Sequence, residues 1–312
     1  MNKEFATDIK EGLSQQPKRL YSKYFYDEKG DQLFQEIMKM EEYYLTRSEF
    51  EIFSMKKQQI FDAIKLDKKK LQLVEFGAGD GLKTKLLLDY LMKEKVDFEY
   101  LPIDISSSVL KQLQGDLKDR WPKMEVNPIQ KSYFEALEGL GSKKRKLVLF
   151  LGSNIGNFNL EEANSFLNKI YNNLNSGDYL LIGADLKKDP TIILDAYNDK
   201  KGITKSFNLN LLARINAEFD ANFELNEFKH YPTYDPVSGE TKSYLVSMKD
   251  QTVRMNKLDL NYDFKYAEPL FMEISKKYSL QELEALAKES NFKVIEHFHD
   301  CKHYFVNTLW KK

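Results

Sequence analysis

The stretch LVEFGAGDGLKTKLLL, residues 73–88, sets three alternating glycines, Gly77, Gly79 and Gly81, between an apolar run and an apolar pattern of helical spacing. A strand, a glycine-rich turn and a helix together make an anion or nucleotide site. Glycine lets the backbone approach a ligand, and a helix start presents free N–H groups. Asp104 closes the next apolar run, where a carboxylate can accept both hydroxyls of a ribose. The dinucleotide fingerprint G-x-G-x-x-G is not met, because the third glycine comes one residue early and Leu82 stands where that pattern needs glycine. A second cluster, HFHDCKH at 297–303, holds three of the four histidines, an acid and the only cysteine. His297 and His299 would share one strand face while the rest fall in a turn, whereas structural zinc sites bring ligand pairs together from separate segments. Exposed hairpin-tip residues, and no metal, are the expectation there.

These residues need elements to hold them. Residues 1–60 read as helical and irregular, with a turn at Asp27 to Gly30 before an amphipathic helix, and with Thr46 and Glu49 in capping-box spacing. From about residue 70 strands and helices alternate: LQLVEFG, then LKTKLLLDYLMKE; FEYLPID, then SSSVLKQLQGDL capped by one of its serines; KLVLFLG, then LEEANSFLNKIYNNL; and DYLLIGADL. That order predicts a parallel sheet with helices on both faces. Residues 190–265 break the rhythm and read as an insertion with its own small sheet, carried by FKHYPTYDP and TKSYLVSMKDQTVRM. YSLQELEALAKESNF restores it, with Ser279 and Glu282 as a capping box, and KVIEHFHDCKHYFVNTLWKK closes the chain as two strands around a turn at Asp300 to Lys302. The divisions expected are 1–60, 61–190, 191–270 and 271–312.

Composition bounds the partners. The 312 residues exceed the commonest single-domain size, and a formal net charge of -1 gives no electrostatic reason for nucleic acid or an anionic membrane. The basic runs DKKK, from 67, and SKKRK, 142–146, each precede a strand-like segment and read as solvated loops. One cysteine rules out an internal disulfide and suits a reducing compartment, no signal-peptide core opens the chain, and no apolar run has membrane-spanning length. A cytoplasmic protein is expected.

Glu75 before the glycines completes acidic-x-Gly-x-Gly-x-Gly, which resembles the first motif of class I S-adenosylmethionine-dependent methyltransferases. LNSGDYLLIGADL resembles the turn into their fifth strand, and the closing hairpin their antiparallel sixth and seventh strands. More specifically, KYFYDEKGDQLFQEI, EEYYLTRSEFEIF, VEFGAGDGLKTKLLL, FLGSNIGN, AYNDKKGITKSFNLNLL and EISKKYS resemble, in order and spacing, the histidine Nα-methyltransferases of ergothioneine biosynthesis, whose relatives methylate tryptophan derivatives. The resemblance implies an α/β fold: a class I (Rossmann-like) methyltransferase sheet with an inserted α+β substrate-binding domain. It implies S-adenosylmethionine as cofactor, a small-molecule amino acid as substrate, and a monomer.

Residue by residue, the resemblance places Gly77, Gly79, Gly81, Lys83, Asp104 and Gly152 at the cofactor. Where the family often has Asp-Phe the chain reads Ser132-Tyr133, which leaves backbone N–H groups for the adenine. Asn157 and Tyr197 are assigned to the substrate carboxylate, and Tyr26 and Tyr43 to the surroundings of the amine. Glu273 and Ser275, two apart on an extended segment, share one face. A carboxylate accepting from an imidazole N–H and a hydroxyl donating to the bare ring nitrogen fit histidine, whereas indole offers only a donor. Ser243 stands where the family often has a larger apolar residue. Three other readings stay open: N-methylation of tryptophan or another amino acid, methylation of nucleic acid, and a non-catalytic binding protein. The charge, and the lack of an Asn-Pro-Pro-aromatic motif after KLVLFLG, argue against nucleic acid.

Overall fold

The computed structural model describes residues 2–65, 70–137 and 144–312, which group into two compact units. Unit 1 comprises Met1–Tyr44 and Lys188–Ser275, and unit 2 comprises Leu45–Lys187 and Lys276–Lys312.

Along the chain the elements are α1 (Lys3–Leu13), α2 (Glu28–Lys39), α3 (Tyr44–Ile64), β1 (Leu71–Phe76), α4 (Thr84–Lys93), β2 (Phe98–Asp104), α5 (Ser107–Arg120), β3 (Glu125–Val126), β4 (Ile129–Gln130), α6 (Tyr133–Leu137), β5 (Arg145–Phe150), α7 (Leu160–Asn173) and β6 (Tyr179–Asp185). Then come α8 (Pro190–Tyr197), α9 (Ile203–Phe219), β7 (Phe228–Asp235), β8 (Glu240–Ser247), β9 (Gln251–Met255), β10 (Leu260–Phe264), β11 (Pro269–Lys276), α10 (Leu280–Glu289), β12 (Lys293–His299) and β13 (Phe305–Lys311).

Unit 2 is built on one sheet in the order β12-β13-β6-β5-β1-β2-β3, with β4 also beside β2. The pairs among β1, β2, β5 and β6 are parallel, and β13 runs antiparallel between β6 and β12. This is the expected methyltransferase sheet, closing hairpin included. Its central strands are buried on both faces, which is why LQLVEF and RKLVLF read as near-continuous apolar runs. Phe76, Phe150, Phe166 and Trp310 lie in its core. β1 has β2 on one side and β5 on the other, with Phe76 level with both Ile103 and Phe150. Gly77, Asp104 and the segment after Phe150 therefore leave the sheet together at its C-terminal edge. There the crossovers diverge, and open α/β sheets bind ligands at such a point.

Unit 1 packs α1, α2 and α9 with two small sheets, β11-β8-β7 and β10-β9. The insertion thus carries two sheets where one was expected, because Met248–Asp250 interrupts TKSYLVSMKDQTVRM and its two halves pair with different neighbours.

Other expectations shift locally. Asp27 is the N-cap of α2, accepting from Gly30 N–H at 2.7 Å, so helix begins where a turn was expected. Thr46 and Glu49 lie inside α3 and make no capping box, whereas the Ser279–Glu282 box forms fully. Of the basic runs, 67–69 and 142–143 fall outside the described residues. Lys146, expected in a solvated loop, is buried in β5 with Asp178 at 3.4 Å. At the closing hairpin Cys301, Lys302 and His303 are exposed, but Asp300 is buried and accepts from the N–H groups of Tyr304 and Phe305.

Candidate active site

The glycine turn of unit 2 is a loop that only glycine adopts without strain, and its N–H groups are well satisfied. Gly77, Gly79 and Gly81 have φ of 67°, 55° and 65°, in the left-handed region that side chains avoid. A Cβ on Gly77 would stand 2.7 Å from the Tyr133 hydroxyl, and one on Gly81 would stand 2.6 Å from Leu113. At Gly79 a Cβ would meet nothing within 4 Å, so this residue faces open space. The turn spends its donors internally. Gly77 and Ala78 N–H donate to the Ile103 carbonyl, Gly79 N–H to Asp104, Gly81 N–H to Ala78, and Leu82 N–H to Asp80. A phosphate cradle needs such N–H groups pointing at the ligand. This turn instead suits a nucleoside without phosphate, with open space at Gly79 beside the Asp104 carboxylate.

Asp104 ends β2 with Oδ2 accepting from Gly79 N–H at 3.2 Å and Oδ1 from Ser106 N–H at 2.9 Å. Burial pushes its pKa up against the pull of those N–H groups. Each carboxylate oxygen has a second lone pair, so the group can still accept from a diol. Glu75, one residue before the end of β1, is wholly enclosed. It accepts from Thr84 Oγ1 at 2.5 Å and from the Tyr100 hydroxyl, and burial pushes its pKa up to about 7. Its role in this structure is to tie β1 to α4 and β2.

Tyr133 starts α6 with its ring among Phe76, Phe150 and Phe166 and its hydroxyl at Gly77. Burial, with Asp104 and Glu75 nearby, raises its pKa, so the hydroxyl keeps its proton. Ser132 turns away: its N–H and its hydroxyl both donate to Glu135, at 3.0 and 2.7 Å. The N–H expected to be left for adenine is engaged here in a local cap.

Lys83 and Gly152 meet through a residue assigned no ligand role from the sequence. The Glu49 carboxylate accepts from Lys83 Nζ, from Gly152 N–H at 2.9 Å, and from Asn307 Nδ2 at 2.9 Å. The signal was present, since Glu49 sits four residues after Leu45 and three before Ile52 on the buried stripe of α3. An acid in an apolar stripe is the anomaly to follow. Asn154 was also missed; its Nδ2 would stand 3.2 Å from a Cβ on Gly77. Asn157, on the same short 3-10 turn after β5, is exposed.

In unit 1, Tyr197 ends α8 and donates its hydroxyl proton to Ser275 Oγ on β11 at 2.9 Å, with both residues buried. The Tyr197 carbonyl, a helix-end acceptor, is met by His230 Nε2 at 3.0 Å. A carbonyl only accepts, so Nε2 carries the proton. Burial lowers the His230 pKa, which keeps the ring neutral. Glu273 precedes Ser275 by two residues on β11 and is half-buried, and Ser243 is buried in β8. Tyr26 and Tyr43 are both half-buried and pack edge-on against Phe34, with ring centroids 5.6 and 6.4 Å away. The expected residues thus fall into the glycine turn with Asp104, Lys83 and Gly152 in unit 2, where Asn157 also lies, and two groupings in unit 1, Tyr197–Ser275 and Tyr26–Phe34–Tyr43. Among the described residues no group of three or more His, Cys, Asp or Glu could hold a metal ion.

The chain is similar to known proteins over nearly its whole length. Residues 5–312 match the model of a family described as histidine-specific, SAM-dependent methyltransferases. The chain is 34% identical over 286 residues to a histidine N-alpha-methyltransferase of Mycolicibacterium smegmatis, covering 92% of this chain and 88% of that protein. It is 35% identical over 274 residues to the protein of the same name from Mycobacterium tuberculosis, covering 88% and 84%. It is 32% identical over 298 residues to ergothioneine biosynthesis protein 1 of Schizosaccharomyces pombe, covering 92% of this chain and 38% of that longer protein.

Proposed function

The chain belongs to the histidine-specific, S-adenosylmethionine-dependent methyltransferase family, and from that membership we infer that it is an enzyme methylating the α-amine of L-histidine, up to the trimethylammonium product. The match over residues 5–312 carries this reading. The cofactor, when bound, supplies a methyl group activated by its sulfonium. What remains for the protein is to align donor and acceptor and to exclude water.

In unit 2, Asp104 would take the ribose hydroxyls, the open side of Gly79 would admit the nucleoside, and Lys83 and Gly152 would face the amino-acid tail. Tyr133, kept protonated by burial, would wall the site beside Gly77. Gly77 and Gly81 would shape the turn, and Ser132 would act through the cap it makes with Glu135.

For the substrate, Asn157 would offer the carboxylate a neutral amide donor, Tyr197 would serve through the proton it gives Ser275, and Glu273 and Ser275 would read the imidazole. The Tyr197-to-Ser275 hydrogen bond favours that last role, because a serine oxygen that already accepts can direct its own proton to a bare ring nitrogen. The nucleophile is the neutral amine, so a proton must leave before each of the first transfers. Tyr26 and Tyr43 would line that path, and their π faces tolerate the growing cation. Tyr43→Phe should keep cofactor binding and slow methyl transfer about 100-fold, the low end for a lost proton-transfer group. Unchanged turnover would remove Tyr43 from the mechanism. A cytoplasmic monomer is the working form in this reading.

The test is mass spectrometry of purified protein incubated with S-adenosylmethionine and an equimolar mixture of the twenty amino acids. Histidine alone should gain up to three methyl groups. Methylated tryptophan, with histidine untouched, would overturn the substrate assignment while leaving the fold and cofactor standing.

A further inference from the structure

Glu49 holds the most constrained carboxylate near the glycine turn. It is fully buried, and a Cβ placed on Gly183 would come within 2.0 Å of its Oε1. Three donors from three elements converge on it: Lys83 at the start of α4, Gly152 after β5, and Asn307 on β13. Burying a carboxylate is costly unless a cation and hydrogen bonds compensate, and Lys83 is the cation here. The pair is unequally placed. The Lys83 side chain keeps 20% exposure while that of Glu49 has none, so the lysine is the member of the pair nearer solvent. A Cβ on Gly152 would stand 3.5 Å from Lys83 Nζ, so the ammonium and the Gly152 backbone share one locus.

We propose that Glu49 is a positioning and specificity residue for the amino-acid tail of the cofactor: it fixes Lys83 Nζ and Gly152 N–H and cancels the lysine charge, so that the site accepts a zwitterionic tail and rejects a plain anion. The inference rests on the reading that Lys83 and Gly152 face the cofactor, and it adds what Glu49 does to that site. A lone lysine beside a glycine turn would attract any carboxylate or phosphate. Backed by Glu49 the locus is neutral, and Glu75, with a pKa near 7, adds partial negative charge close by. A tail carrying both ammonium and carboxylate brings no net charge to such a site. A tail carrying carboxylate alone brings an uncompensated negative charge against Glu49, with low-dielectric protein rather than water around it.

The experiment reads binding by calorimetry on the full chain, using S-adenosylhomocysteine and its deaminated analogue, 5′-S-(3-carboxypropyl)-5′-thioadenosine. Wild type should prefer the amine-bearing ligand at least tenfold. Glu49→Gln keeps the size and an acceptor but not the charge; it should weaken S-adenosylhomocysteine at least tenfold and shrink the preference below threefold. If both ligands weaken equally and the preference survives, Glu49 is a structural residue only and the proposal is overturned. If wild type binds neither ligand, the cofactor reading itself fails. Should Glu49→Gln not fold, Lys83→Gln decides, because it leaves Glu49 facing the ligand uncompensated. The deaminated analogue should then lose at least threefold more affinity than S-adenosylhomocysteine, and equal losses would overturn the proposal.

Discussion

Glu75 shows how one side chain couples the cofactor turn to pH. Its carboxyl rises from an ordinary 4.5 to about 7 because burial outweighs the hydrogen bonds it accepts from Thr84 and Tyr100. The folded chain therefore binds this proton more tightly than the unfolded chain. The contribution to stability is full below about pH 4.5 and is lost as pH rises through about 7, amounting to about 3 kcal/mol. Denaturant unfolding between pH 5 and 8 should show that decline in wild type and lack it in Glu75→Gln. The glycines separate stability from binding at the same scale. Gly79→Ala places a methyl in open space at φ 55°, so it should cost about 1–2 kcal/mol in stability. In the proposed site that methyl would meet the nucleoside, so S-adenosylhomocysteine affinity should fall at least tenfold, beyond what the fold loses. Gly77→Ala should cost the fold more, because its methyl collides with the Tyr133 hydroxyl. Thermal melting and calorimetry on the two variants would check the order.

Helix ends set the unit 1 geometry at the scale of elements. Asp199 follows α8, which ends at Tyr197, and caps α9 by accepting from Ile203 and Thr204 N–H at 2.9 and 2.8 Å. Burial opposes its charge, but those N–H groups prevail and hold its pKa below the usual value. Its stabilisation is present above the unfolded pKa and lost as pH falls. Asp199→Ala should cost about 1 kcal/mol, the common value for a lost cap. Because Tyr197 lies two residues upstream, the variant should also raise KM for histidine more than it lowers kcat. A raised KM for S-adenosylmethionine instead would show that α8 does not serve the substrate. His230 ties the same junction from β7 by holding the carbonyl at which α8 stops.

At the scale of the whole molecule, two cores share one chain, and α3 begins where the first segment of unit 1 ends. Ligand binding to the folded state alone adds stability by mass action, about 2.7 kcal/mol at a hundredfold excess over Kd. S-adenosylhomocysteine should raise the melting temperature by about 4–7 °C. If the two units melt separately, calorimetry should show the gain confined to the transition of unit 2, which holds Gly79, Asp104 and Lys83. A gain confined to the other transition would misplace the cofactor. No helix among the described residues is long and apolar enough to cross a membrane.

Much of this was legible because the signals are local. Buried parallel strands demand continuous apolar runs, so β1, β2, β5 and β6 stood out, and the glycines after β1 with Asp104 at the end of β2 came out together at the C-terminal edge of the sheet. Motif order carried the family, and Ser279–Glu282 declared a helix start in four residues. The rest depended on chain segments distant in sequence. Glu49 and Thr46 have capping-box spacing, yet α3 begins earlier and Glu49 spends its carboxylate on Lys83, Gly152 and Asn307, the last 258 residues away. The same holds for Lys146, drawn from an expected loop into a buried pair with Asp178, and for the Tyr197–Ser275 hydrogen bond across 78 residues. Sequence by itself determined which elements form and which ligand the glycine turn suits, because periodicity and backbone sterics act between near neighbours. Tertiary structure alone decided which buried charges meet, because a charge leaves water only where folding supplies its partner.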